Sequence, residues 1–237
     1  MPAYRKTAIV VGILFITCSA ATLLSVAPLG APLSAPVDLT KLAANETRVV
    51  STALIEFVWA ASAAGIAVAL FPVVRRQNTA VAVGSVAART AEALLVVVAT
   101  LGLLVLSSLS REVVAAGSTG VPSADTLANL LLATREWVHG LLVPLAFALG
   151  AGLYYWSLYG SRLIPRWLSG WGIAAIGLSL VATVYGGFTH DFGMATVNTV
   201  LNIPIGLQEL VLAVWLIAKG FDRSALAAGS GSAGVAA

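Results

Sequence analysis

The chain has 237 residues, 59% of them hydrophobic and only 10% charged, with a mean hydropathy of +0.96. This excludes an ordinary soluble domain and leaves room for about six membrane spans of about 20 residues, with no extramembrane domain of useful size. The net charge of +3 does not imply nucleic acid, because eight of the 13 basic residues stand in four pairs at span ends, so the expected partner is the lipid bilayer.

A first span is predicted over 7–26, after Arg5 and Lys6. Ile16-Thr17-Cys18 faintly resembles a lipoprotein cleavage site, but the apolar run continues past it. A proline-rich connection follows from Pro28 to Pro36, then a short helix with Asp38 as N-cap, expected to lie along the outer surface. The second span covers 49–74 and ends at Arg75 and Arg76. The third covers 80–109 and is closed by Ser110-Arg111-Glu112 and a Gly/Ser/Pro loop to Ser123. The fourth, 124–159, is too long for one perpendicular crossing and is expected to bend at Pro144.

Tyr154, Tyr155, Trp156 and Tyr159 at its end, with Trp167 and Trp171 beyond, read as an aromatic belt around Arg162 and Arg166. In the fifth span, 169–188, Gly172, Ser179, Thr183 and Gly186 fall on one face suited to close helix packing. The sixth, 197–217, is followed by Lys219 and Arg223 and by a tail, 224–237, expected to be disordered. The whole of 1–223 reads as one domain, an all-α integral membrane six-helix bundle.

Basic residues sort by side. Arg5, Lys6, Arg75, Arg76, Arg162, Arg166, Lys219 and Arg223 share one side, and Lys41, Arg48 and Arg111 the other, so the positive-inside rule predicts that both termini are cytoplasmic.

Seven ionisable residues interrupt the spans: Glu56, Arg89, Glu92, Arg135, Glu136, His139 and Glu209. An unpaired charge at a span centre costs roughly 2.5 to 3.5 kcal/mol, so these groups must pair, protonate or face water. At about 1.5 Å per residue, Arg89, Glu92 and Glu209 fall near the midplane, and Glu56, Arg135, Glu136 and His139 in the outer half. Arg89 and Glu92 are three apart and can pair. Arg135, Glu136 and His139 are expected to point broadly the same way. Asn198, Asn202 and Glu209 form a polar stripe on the last span. Pro144 and Pro204 free the carbonyls of Gly140 and Val200 beside these groups. Together they read as one polar layer across at least three helices, in which two arginines face four carboxylates.

Several stretches resemble a bacterial membrane family catalogued as domain of unknown function number 4386. They are Leu163-Ile-Pro-Arg-Trp-Leu-Ser-Gly-Trp-Gly172, the pairs Arg89/Glu92 and Arg135/Glu136, and the closing run from Leu207-Gln-Glu to Lys219-Gly-Phe221. The resemblance covers about Lys6 to Phe221. It implies a multi-pass prokaryotic membrane protein, expected in the inner membrane, and supplies no activity.

Three functional readings follow. In the first, the protein binds a small or lipid-like ligand in an intramembrane polar pocket, with proton coupling as an extension, through Glu56, Arg89, Glu92, Arg135, Glu136, His139, Asn202 and Glu209. In the second it is a structural or assembly protein whose buried charges fix helix order and whose small-residue face on the fifth span binds a partner. The third is a metal-dependent enzyme built on the Glu136-x-x-His139 pair. Di-iron bundles need two such pairs and this chain has one, with Arg135 repelling a cation beside it. Two histidines exclude a three-histidine zinc site, and His190 is expected in the loop between spans five and six. Cys18 has no neighbouring base and forms no intrachain disulfide, and no serine sits in a nucleophile elbow. No cofactor is expected.

Overall fold

The computed structural model describes residues 2–26, 33–117, 122–193 and 196–226, and every regular element among them is helical. In order these are α1 (Pro2–Val26), α2 (Leu39–Ala44), α3 (Glu46–Val74), α4 (Thr79–Ala115), α5 (Pro122–Trp137), a π-helical turn (Val138–Leu142), α6 (Val143–Ser161), α7 (Arg166–Thr189) and α8 (Thr196–Ala218). Six continuous stretches are long and apolar enough to cross a membrane, each containing one predicted span. Helices suit this setting because hydrocarbon offers no partner to a free backbone N–H or C=O. The exterior is apolar as well. Leu23 is 71% exposed and Phe188 86%, an outer surface that lipid accommodates and water does not.

The helix α1 packs between α3 and α8, α4 against α3 and α6, and α7 against α6 and α8. At Gly12 a Cβ would stand 2.8 Å from the Ala213 carbonyl oxygen, so α1 and α8 meet at backbone distance. Arg5 donates to the carbonyls of Leu216 (3.1 Å) and Ile217 (2.6 Å), which joins the start of α1 to the end of α8. The start of α1 and the end of α8 therefore lie on one face, called the terminal face below.

The helices α4 (37 residues) and α5–α6 (40 residues) exceed what a bilayer needs. At about 1.5 Å per residue they run to roughly 55 and 60 Å, about twice the ~30 Å hydrocarbon thickness. Their far ends, with α2 and the start of α3, enclose an apolar cluster that includes Leu42, Val49, Leu106, Ala128 and Leu132. The helix extensions thus build a small apolar lobe at the end opposite the terminal face. Asp38 caps α2 as predicted, accepting from the Lys41 amide at 2.9 Å. The helix turns its apolar side to the protein. It buries Leu39 and Leu42 in the lobe, where the Val37 amide also donates to Asn129 Oδ1 at 3.0 Å.

The long fourth stretch breaks where Pro144 predicts. Without a proline N–H the Gly140 carbonyl loses its α-helical donor, and the Val143 amide reaches back five residues to the Val138 carbonyl, closing a π turn. Pro204 stays within a continuous α8. Three further expectations change. Tyr154 and Tyr155 are completely buried, so the exposed aromatics near this interface are Trp156, Tyr159 and Trp167. The small-residue face of α7 is used inside the chain: Gly172 faces Tyr155 and Gln208, Gly186 faces Phe192, and Ser179 donates to Asn202 Oδ1 at 2.7 Å. It is not left free for a partner. Residues 223–226 form a helical turn at the start of the predicted disordered tail, capped by Asp222, which accepts from the amides of Ser224 (2.9 Å) and Ala225 (3.0 Å). The rest of that tail, and parts of the proline-rich and Gly/Ser/Pro connections, lie outside the described residues.

Candidate functional site

Not one polar layer but two clusters emerge, stacked along the same face of α3 and α4. Between the terminal-face basic residues and the charged members of the first cluster lie 10 residues on α8 and 13 to 16 on α4, roughly 15 to 24 Å, which is mid-bilayer. At its centre is Arg89, 1% exposed, whose Nη1 stands 2.7 Å from Glu92 Oε2. Arg89 Nε donates to the Ala63 carbonyl (3.2 Å) on α3, and the guanidinium lies over the Phe147 ring, 5.1 Å from its centroid. Gly150 makes room for it. A Cβ there would come within 2.8 Å of Arg89 Cγ, and the Gly150 carbonyl accepts from Ser85 Oγ at 3.1 Å.

Glu209 enters this cluster from α8, interacting with Arg89 and facing Ser19 on α1. Cys18 and Tyr154 are also within electrostatic reach of Arg89, Glu92 and Glu209. Two hydroxyls in this neighbourhood, Ser19 Oγ and Tyr154 Oη, are buried without a hydrogen-bond partner at full geometry. Glu209 keeps part of its surface at the outside of α8 while its carboxyl lies inside, beside Arg89 and Ser19.

The second cluster lies 19 to 27 residues from the same basic residues, roughly 28 to 40 Å, near the far edge of the hydrocarbon. Glu56, completely buried on α3, forms a two-pronged pair with Arg135 of α5: Arg135 Nη2 meets Oε1 and Nη1 meets Oε2 at 3.2 Å. Arg135 Nη1 also donates to the Ala99 carbonyl at 2.7 Å. Thr100 Oγ1 stands 2.7 Å from Glu56 Oε2 and 2.9 Å from the Val96 carbonyl, so its single proton has two acceptors. His139, in the π turn, brings Nε2 to 4.0 Å from Glu56 Oε1 without a hydrogen bond and packs edge-on against Trp59.

One apolar layer separates the clusters, formed by Ala60, Val96, Ala99, Val138 and Val143. On α4 the order is Glu92, Val96, Thr100, two helical turns spanning about 12 Å.

Glu136 joins neither cluster. It is exposed, while Arg135 turns inward beside it, because successive residues on a helix are rotated by about 100°. The expectation that Arg135, Glu136 and His139 share a face is therefore corrected for Glu136. Since His139 faces Glu56, the Glu-x-x-His pair does not converge on a common point. Among the described residues no three His, Cys, Asp or Glu side chains come together as a metal site. His190 caps the end of α7 and is exposed, as its loop placement predicts. Asn202 pairs with Ser179 and with the Asn198 carbonyl (2.8 Å), away from both clusters.

The surplus of two negative charges can now be located. One belongs to exposed Glu136. The other lies in the mid-bilayer cluster, where Arg89 faces both Glu92 and Glu209. Glu56 and Arg135 balance each other.

Sequence reasoning missed Gln208, which is completely buried and accepts from Tyr155 Oη (2.6 Å) while donating to the Leu168 carbonyl (3.0 Å). Its signal was its place beside Glu209 on a predicted span, where an uncharged amide also needs partners. Thr100 carried no signal of its own, since a lone threonine in a span ordinarily bonds its own helix.

Six membrane-length helices with ion pairs in their interior define a multi-pass membrane protein. The chain belongs to the family described as domain of unknown function 4386 (DUF4386), whose sequence model matches residues 10–220. No curated protein and no solved structure matches it.

Proposed function

We propose that this is a bacterial inner-membrane protein, with both termini in the cytoplasm, that binds a small or lipid-like ligand at the mid-bilayer cluster and exchanges it for a proton at Glu209. The observation that carries the proposal is the charge count there, one guanidinium against two carboxyls. A dry interior does not tolerate the second negative charge, so a proton or the cationic head of a ligand neutralises it. The Ser19 hydroxyl beside Glu209 and the Tyr154 hydroxyl, neither in a well-formed hydrogen bond, supply polar contacts for such a head. Arg89 and Glu92 hold the geometry, and Glu209 is the exchanging group.

Infrared difference spectra of the reconstituted protein test this, with dodecylamine as the probe. Wild type is expected to show a buried protonated carboxyl that amine binding displaces. Glu209→Gln loses both signals and Glu136→Gln keeps them. The proposal fails when Glu209→Gln binds the amine as wild type does and retains the carboxyl band.

For the second cluster the structural reading is favoured instead. Glu56 is matched by Arg135, and the pair ties α3, α4 and α5 together, which is what a helix-fixing contact requires.

A further inference from the structure

A second site lies on the terminal face, independent of both buried clusters. Between the α6–α7 connection and the end of α8 opens a cleft of about 540 Å³, lined by Arg162, Arg166, Trp215, Phe221 and Asp222 among others. We propose that this cleft binds the phosphate-bearing headgroup of an anionic phospholipid.

Three observations converge on that ligand. First, Arg162 and Arg166 are both exposed, and among the described residues neither has a carboxylate within ion-pair distance. The acid in the cleft, Asp222, is already engaged by the amides of Ser224 and Ala225. Arg5, by contrast, is occupied by the α8 carbonyls. Second, Arg162 adopts a left-handed backbone (φ 57°) at the end of α6, a conformation glycine would take without strain. An arginine there brings its guanidinium to the cleft at the expense of backbone ease. Third, the surroundings are those of a headgroup. Arg166 begins α7, whose first turn carries the positive end of the helix dipole, and its guanidinium lies 5.3 Å from the Tyr159 ring centroid. Trp167 projects at the same level, 56% exposed.

The source of the phosphate follows from the wider charge distribution. The terminal face carries eight basic residues and one acid, Asp222, whereas the far side carries Lys41, Arg48 and Arg111 against Asp38, Glu46, Glu112, Asp125, Glu136 and Asp191. A basic cleft between helix ends, at headgroup level and walled by Trp215 and Phe221, suits a lipid with its acyl chains beside the bundle better than a free ion.

Native mass spectrometry of the full chain in detergent tests the proposal, titrating phosphatidylglycerol, phosphatidylcholine and inorganic phosphate in separate arms. Wild type is expected to retain phosphatidylglycerol in preference to phosphatidylcholine. Arg162→Gln and Arg166→Gln each weaken retention about fivefold and together about 25-fold, as near-surface contacts with an anionic headgroup imply. Arg166→Lys retains binding. Arg75→Gln/Arg76→Gln removes the same charge from the same face outside the cleft and stays within about twofold of wild type. Equal losses in both double variants, or no loss in either, overturn the site. Displacement of the lipid by inorganic phosphate at comparable concentration overturns the lipid assignment and leaves a free-phosphate site. Thermal melts of each variant separate lost binding from lost fold, and a variant that does not fold is replaced by the single Arg166→Gln.

Discussion

The Glu56–Arg135 pair gives the most direct test of how this bundle is held. Arg135→Met leaves Glu56, whose side chain is 1% exposed, with the Thr100 hydroxyl as its hydrogen-bond partner and the His139 ring at 4.0 Å. A buried carboxylate stripped of its counter-charge costs about 3 kcal/mol, at the low end for broken buried pairs because the site lies near the far interface. Glu56→Leu is milder at about 2 kcal/mol, since the Arg135 side chain is 10% exposed and its long stem can turn the head toward water. Removing both charges leaves an apolar contact and an Ala99 carbonyl short of a donor, which costs about 2 kcal/mol. The expected coupling between the two positions is therefore about 3 kcal/mol. Unfolding of wild type, both single variants and the double variant in mixed micelles, titrated with dodecyl sulfate, measures it. A coupling below about 0.5 kcal/mol would refute the reasoning, because independent sites add to within that margin.

Other outcomes follow from close contacts and caps. Gly172→Leu should destabilise the monomer by about 1 to 3 kcal/mol, because even a Cβ would stand 2.8 Å from the Tyr155 ring, while Gly177→Leu, with nothing within 4 Å, stays within about 0.5 kcal/mol in the same unfolding assay. Gly150→Ala should displace Arg89, visible as a lower thermal midpoint, whereas Gly152→Ala should not, since that position also has open space. The Lys41 amide, helped by the Lys41 ammonium, holds the Asp38 carboxyl below its ordinary value of 3.8. Its contribution to α2 is thus present above that value and lost as pH falls through the lower folded value, so hydrogen exchange of the α2 amides should accelerate there in wild type and be fast at all pH in Asp38→Ala.

What was legible in the sequence is what one helix determines by itself. Apolar run lengths locate six spans, the three-residue interval pairs Arg89 with Glu92, Asp38 signals its cap, and Pro144 marks the break. What was not legible depends on how helices meet. Depth alone separates Glu56 and Arg135 from Arg89, Glu92 and Glu209, yet it does not show that Val96 and Val143 close an apolar layer between them. Tyr154 and Tyr155 resemble interface aromatics by neighbourhood. They also continue the buried stripe of Ala148, Ala151 and Leu158, and the α7 glycine at Gly172 decides the matter by giving the Tyr155 ring a place inside. The long α4 and α5 read as oversized spans because their extensions stay apolar, and only the packing of Leu42 and Val49 beneath them shows a lobe.

The two clusters use the same helices in different ways. On α3 and α4 a polar contact recurs at an interval of two turns, Glu56 two turns from the Ala63 carbonyl that Arg89 uses and Thr100 two turns beyond Glu92, so both clusters occupy one face of the same helix pair. At the far edge the acid meets an arginine on α5, a hydroxyl and a nearby imidazole, and its charge is matched. At mid-depth the cation meets one acid on its own helix and a second from α8, and among the described residues no other base pairs with them. An ion pair that served only to fix helix order would need Arg89 and Glu92 alone, since Arg89 already ties α4 to α3 through the Ala63 carbonyl. Glu209 adds a negative charge where it is most expensive, on the helix that packs against α1 and α7. That expense is explained when the extra carboxyl has something to bind, which is why the proton-exchanging role is assigned to Glu209 and not to the balanced pair at the edge.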